Sequence, residues 1–360
     1  MMKLQKIIMA AAIGMPCVVQ AAQVEGEKLE IYGKIHVSIN SADIDDPAVT
    51  TKDGMSISSN SSRFGFKGKL PTESDIDVIW QMEQEVALDD HSAGSFTNRN
   101  SFIGLGSGEH RLVVGIHDTP FKSVASNWGV FGDSVAERRS ILGASYNKGN
   151  QLNERVKNMM MYQFKNKTTK IQAMYAIDPE AGSPGVTDDN TAKMSGIGAW
   201  FNVSGIKLSF GWEDWKNHSV IVDGNAYRVA ASYDAGAHTF GVIFENIDTD
   251  AVTATANALA FKRSASGVNW KWKFSDKADF RAQYLVANSA DNTTDTGANK
   301  LGLGVFYSLE KKAKVYFAYA KTSNDANAKF QAVDGGHGDE VKTVNGGVPS
   351  AMSVGMEFKF

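Results

Sequence analysis

Most of this 360-residue chain alternates apolar and polar side chains at a period of two, from about residue 29 to the C-terminus. That pattern suits half-buried strands and excludes a mainly helical fold, whose apolar positions would recur near every 3.6 residues. Leu29, Ile31, Ile35, Val37 and Ile39 point one way, while Glu30, Tyr32, Lys34, His36, Ser38 and Asn40 point the other. At the far end Met352, Val354, Met356, Phe358 and Phe360 oppose Ser353, Gly355, Glu357 and Lys359. About 16 such segments of roughly ten residues are expected, the length that crosses a bilayer when a strand is tilted. They fall near 29–41, 57–70, 74–87, 98–106, 110–117, 155–165, 168–177, 192–202, 205–215, 225–234, 238–247, 264–274, 277–288, 298–308, 312–322 and 350–360.

No apolar run is long enough to span a bilayer as a helix, and the mean hydropathy is −0.25. The longest run, Ile7 to Val19, follows Lys3 and Lys6 and leads into Val19-Gln20-Ala21-Ala22. Charged, apolar and small-residue regions in that order predict a secretory signal peptide over residues 1–22 and a single barrel domain over 23–360. Without it the chain keeps 35 basic against 40 acidic residues, a net of −5, and the sole cysteine, Cys17, is lost. Thiolate metal sites are thereby excluded, and nothing in the charge balance suggests a nucleic-acid partner.

Connection lengths alternate. Pro71-Thr72-Glu73, Ser107-Gly108, Val203-Ser204, Ala235-Gly236-Ala237 and Ser275-Asp276 are tight, whereas 42–56, 178–191, 248–263, 289–297 and 323–349 are long and polar. Short turns at one rim and long loops at the other define an outer-membrane barrel layout, with the long loops outside the cell. A secreted β-sandwich would instead bury the apolar faces as a core. Those faces are read as carrying Trp80, Trp200, Trp212, Trp270 and Trp272 with Tyr227, Tyr233 and Tyr284, which suits aromatic girdles against outer-membrane lipids.

The longest interruption, residues 118–154, contains Pro120, Phe121, Trp128, Val130, Phe131, Ile141, Leu142 and Tyr146. It is too apolar for a solvated linker and is expected to fold into the lumen. The inward parity holds Lys34, Arg63, Arg99, Arg111, Arg155, Arg228, Arg281, Lys300 and Lys314 among its cations, and fewer acids, including Glu83, Glu85, Glu213, Glu245 and Glu357. Such an interior must be wet, because unpaired buried ions are expensive. Arg63, Arg99 and Arg155 flank the loop, and Asp133 and Glu137 lie on it, so basic and acidic groups are expected to face each other across a narrowing.

Several stretches resemble the Gram-negative general porins: SSRFGFKG (Ser61 to Gly68), WQMEQE (Trp80 to Glu85), NRNSFIGLG (Asn98 to Gly106) with VVGIHDTPFK (Val113 to Lys122), and the terminal MEFKF (Met356 to Phe360). The resemblance implies a homotrimer of 16-stranded antiparallel transmembrane β-barrels in the Gram-negative outer membrane, each with its third long loop folded inside as a constriction. By motif it places Arg63, Glu83 and Arg99 on the constriction wall. Arg155 stands in RVKNMMMY, which departs from the family's text, and the long loop lacks a Pro-Glu-Phe-Gly type segment. Phe360 matches the terminal aromatic read by the barrel-insertion machinery.

Enzyme signatures are absent. The seven histidines form neither HExxH nor a zinc spacing, there is no GxSxG elbow, and Gly104 to Gly108 opens a strand-to-strand turn rather than a helix. Asp334 to Glu340 reads as a flexible surface loop. The reading is passive diffusion of small hydrophilic solutes and ions, with no enzyme activity and no cofactor. A substrate-selective channel on the same fold is the alternative. It would need an aromatic slide along the lumen, where parity supplies little beyond Tyr32, Phe306 and Tyr316.

Overall fold

The computed structural model describes residues 28–46, 54–89, 99–146, 152–182, 189–218, 222–250 and 261–360. The expected signal peptide, residues 1–22, lies outside them. Among the described residues seventeen strands form one antiparallel sheet, which closes where β1 (Lys28–Asp43) pairs with β17 (Ser350–Lys359). Two of them, β2 (Gly54–Ser59) and β3 (Arg63–Pro71), run in series along β1, Val37 facing Ser59 and Lys34 facing Arg63. The break between them is Asn60 to Ser62, with Ser61 in the left-handed region at φ 51°. Joined, they make one stave, so the wall is a 16-stranded antiparallel barrel. Phe360 completes the seam, its backbone exchanging both hydrogen bonds with Gly33, at 3.2 and 3.1 Å.

Tight turns follow local chemistry. Between β9 (Lys193–Val203) and β10 (Ile206–His218), Ser204 and Gly205 have φ of 52° and 81°, the two positive values of a type I′ hairpin. That turn matches the right-handed twist of its strands, and glycine enters it without a Cβ penalty.

Burial is inverted relative to a water-soluble protein. Val354 and Met356 are 60% and 49% exposed, whereas Ser353 and Glu357, on either side of that pair, are buried. A sandwich would hide the first pair and solvate the second, so the apolar face of this sheet is its outer surface. Aromatics collect near the short turns: Tyr233 and Phe240 on β11 (Val222–Ala235) and β12 (His238–Asp250), then Trp272 at the end of β13 (Phe261–Lys273) and Phe274 just past it. Trp200 departs from the expectation. It stands on the inward face and is buried, because its neighbours Ile197 and Phe201 take the outward positions.

The segment after β6 (His110–Asp118) begins with a short helix, α1 (Pro120–Val124). Thr119 caps it through its side-chain oxygen, and Pro120 at the first turn removes an N–H that would have no partner. It packs against β9, β10 and β11, where Gly211 leaves room: a Cβ there would collide with Val124 and Phe121. Farther along, Trp128, Ile141 and Leu142 share a buried cluster with Phe330, while Phe131 and Val135 join Phe306 and Tyr316. The apolar residues that made this segment unsuited to solvent therefore form cores against the polar face of the wall.

The connection between β16 (Ala313–Asn324) and β17 corrects two expectations. Asp334 to Glu340 is not a flexible surface loop, and 323–349 is not uniformly exposed. Ala328, Phe330 to Asp334 and His337 are buried, Phe330 among the apolar residues of the long segment. Gly336 and Gly338 lie so close to Asp133 and Ser59 that a Cβ would clash, a fit that charge and turn propensity cannot signal. Glu340, Lys342, Val344 and Asn345 remain exposed. An epitope inserted between Val344 and Asn345 should therefore label on intact cells, whereas one inserted at Gly336 should lower the yield of folded protein. Equal labelling and yield at both positions would contradict this packing.

Candidate functional site

Four inward cations hold the long segment to the wall. Arg228 and Arg263, both fully buried, flank the equally buried Glu245, with Nη2–carboxylate distances of 2.7 and 3.4 Å. Arg228 also donates to the Phe121 carbonyl and to Asn153 Oδ1, and Arg263 to the Ile141 and Ala144 carbonyls, while Glu245 accepts the Gly143 N–H. Lys300 on β15 (Ala298–Glu310) reaches the carbonyls of Glu137 and Ala332 and the Ser140 hydroxyl at 2.7 to 2.9 Å. Arg281 on β14 (Ala278–Ala287) donates to the Val130 carbonyl and pairs with Asp279. Buried cations survive only with such partners. Parity counted Arg228 and Lys300 as pore lining, but they are clamps, and Arg263 lay just outside the expected strand.

A second group of charges surrounds an open cavity of ≈ 460 Å³ between wall and segment. Three of the expected residues meet directly: Glu83, on β4 (Asp77–Glu85), lies 2.8 Å from Arg99 and 3.6 Å from Arg63 and accepts the Tyr32 hydroxyl at 3.0 Å. Arg99 reaches Glu85 as well, at 3.1 Å. Arg155, at the start of β7 (Arg155–Lys165), pairs instead with Asp118, which also holds Lys122. The expected opposition of the three arginines to Asp133 and Glu137 takes another form. Asp133 binds Lys34 at 2.6 Å and Arg139 at 3.0 Å.

Glu137 is turned away, its side chain 1% exposed and paired with Arg138 and Arg139 at 2.9 and 3.3 Å. It also accepts the N–H of Asp133, whose φ of 58° needs a brace. Burial alone would raise both carboxyls, but Lys34 and Arg139 hold Asp133, and Arg138 and Arg139 hold Glu137, below the usual carboxylate range. Lys34, Asp118, Lys122, Arg138 and Arg139 were not selected from sequence as members of this group. The Glu137-Arg138-Arg139 run inside an otherwise apolar segment was the available signal.

The cavity is lined by seven cations (Arg63, Arg99, Lys122, Arg138, Arg139, Arg155 and Lys170) against three carboxylates (Glu85, Asp118 and Asp133). An aromatic slide is not formed by Phe306 and Tyr316. Each is 4% exposed, and they stack on one another at 5.1 Å with Phe131 beside Phe306.

A closed sheet with an apolar exterior and a charged interior defines a barrel channel of the outer-membrane type, and among the described residues no helix is long and apolar enough to cross a membrane. The Gram-negative porin family matches residues 8–327, and the chain belongs to that family. It is a channel of the outer membrane for the diffusion of small solutes, and not an enzyme. Among solved structures it is similar to the anion-selective porin from Comamonas acidovorans, with a TM-score of 0.74 and 16% identity over 93% of this chain and 100% of that one. It is also similar to in-vitro folded OmpT of Vibrio cholerae in its trimer form, with a TM-score of 0.64 and 16% identity over 93% and 99%. A mutant Rh. blastica porin gives a TM-score of 0.62 and 16% identity over 92% and 100%. Comparison with curated proteins returns no match.

Arg228→Met should leave Glu245 with the more distant Arg263 as its remaining cation, costing about 3–5 kcal/mol by the usual penalty for stranding one member of a buried ion group. The measurement is the temperature at which the folded band converts on unheated gels, together with protease cleavage within 119–146. A second expectation concerns Glu154, which lies outside the strands. Burial, followed by repulsion from Glu180 and Glu213, raises its carboxyl to about 8. A raised acid stabilises the fold fully below its unfolded pKa and loses that contribution as pH rises through the folded value. The conversion temperature should therefore fall between about pH 5 and pH 8, and Glu154→Gln should flatten that slope. A slope unchanged in Glu154→Gln would assign it to other groups.

Proposed function

We propose that the described residues of the long segment, 118–146 and 152–154, narrow the lumen and that the cavity they form with the wall is the selective aperture, giving this porin a preference for anions. Arg63, Glu83, Arg99, Asp133 and Arg155 line or brace that aperture, and Glu137 holds the segment's shape from behind. The carrying observation is the excess of cations lining the cavity, seven against three, in a chain whose total charge is −3. Net charge on distant loops is screened beyond about 8 Å at physiological salt, whereas charges in a narrow passage with low-dielectric walls act at full reach on a passing ion. The C. acidovorans porin of similar fold is itself described as anion-selective.

The V. cholerae trimer form and the broad apolar exterior support a homotrimer for this chain as well. The leader pattern at 1–22 supports export, and the exposed aromatic Phe360 at the closing seam supports its use as the terminal signal for the barrel-insertion machinery. Phe306 and Tyr316, buried in a stack, favour a general solute filter over a substrate-selective channel.

Replacing Arg63 and Arg99 together with Ser should shift the zero-current potential of bilayer-reconstituted protein in a KCl gradient towards cation selectivity. The shift should be that of two lost positive charges, with the Glu83 carboxylate left beside the passage without a cation next to it. A zero-current potential that does not move would place the limiting aperture elsewhere.

A further inference from the structure

Six of the seven cations around the basic cavity have a carboxylate partner, but Lys170 has none among the described residues. Its ammonium sits 4.0 Å above the centre of the Trp200 ring. It stands near the start of β8 (Thr169–Ile177), its backbone facing Lys165 on one side and Trp200 on the other. The residue next to it, Ile171, points outward, so Lys170 points inward.

Lys170 also lines a second, smaller cavity of ≈ 220 Å³ at the short-turn rim, together with Lys165, Lys167 and Lys207, where no acidic residue contributes to the lining. It is the one charged residue common to the two cavities. Trp200 fixes it there without neutralising it, since a ring face attracts a cation through its quadrupole and carries no net charge. The ring is itself seated by the long segment. Gly198 lacks the Cβ that would collide with Trp200 and meet Pro120 of α1, so the position of the ammonium is tied to that of the helix.

We propose that Lys170 is a transfer site for small anions, chloride and carboxylate- or phosphate-bearing solutes, between the aperture cavity and the short-turn mouth. An anion leaving the aperture passes from paired guanidinium groups to an unpaired ammonium, and then to the lysines of the short-turn cavity. This rests on the anion preference proposed above and adds to it a specificity-determining residue beyond the aperture. Because Lys170 meets the anion as a lone charge, its removal weakens anion passage even when the aperture arginines are intact.

Cys17 is the sole cysteine, so in a Cys17→Ser background, used for every protein compared, Lys170→Cys carries the one addressable thiol. Reconstituted Lys170→Cys should show a chloride-to-potassium permeability ratio lowered about twofold, the size expected for one partly screened charge a few ångströms from the ion path. A cationic methanethiosulfonate (trimethylammonium-ethyl) should restore the ratio, and the anionic sulfonatoethyl reagent should lower it further. The unsubstituted protein should respond to neither. Lys170→Arg should keep the ratio and Lys170→Gln should lower it, which covers the case in which the cysteine variant assembles poorly. Opposite responses to the two reagents support the transfer site. An unsubstituted protein that prefers potassium would overturn the anion reading itself. An anion-preferring protein whose Lys170 variants keep its ratio, or respond alike to both reagents, would overturn only the role of Lys170.

Discussion

In hydrocarbon every backbone N–H and C=O has to find its partner within the protein, and the rest of this architecture depends on that constraint. The pairing of β1 with β17 and the exchange between Gly33 and Phe360 leave no open edge at the seam. With the edges gone, the two faces of the sheet can diverge in chemistry. One carries Ile31, Val354 and Met356 to lipid, and the other carries enough charge to hold water.

Inside, residues of one type serve different physical ends according to what covers them. Arg228, Arg263 and Lys300 give up solvent completely and are compensated by carbonyls and a shared glutamate. Arg63, Arg99 and Arg155 keep partial contact with water, and their carboxylate partners temper their field without cancelling it. The distinction matters for selectivity, because only charges that a passing ion can approach shape its energy. A tally of inward cations therefore overstates the field, and the identity of the groups lining the open cavity gives the better measure.

The wall was largely legible in the sequence. Period-two alternation places nearly every strand, because each side chain faces either lipid or the interior. The expected segment near 57–70 is two strands in series, since Ser61 takes a left-handed conformation that alternation cannot reveal. The motif-matched group Arg63, Glu83 and Arg99 does come together, since register sets Arg63 and Glu83 on adjacent strands and the Arg99 N–H, just before the next strand, donates to the Glu83 carbonyl. The partners of Asp133 and Glu137 were not legible, because they depend on how an irregular segment folds back on itself, and neither period nor spacing encodes that. Trp200 was misplaced for a related reason: its apolar character suits lipid and the underside of a packed segment equally well.

Lys300 touches both irregular segments, binding the Glu137 carbonyl of one and the Ala332 carbonyl of the other through a single ammonium. Gly336 abuts Asp133 and Arg139 from the far side. Neither segment can withdraw without stranding a buried charge that also serves its neighbour, so the two are thermodynamically a single cooperative body. Loosening of the packed segments would then proceed in discrete steps, with few graded intermediates, and swapping either segment for one from a related barrel would require its counterpart to travel with it.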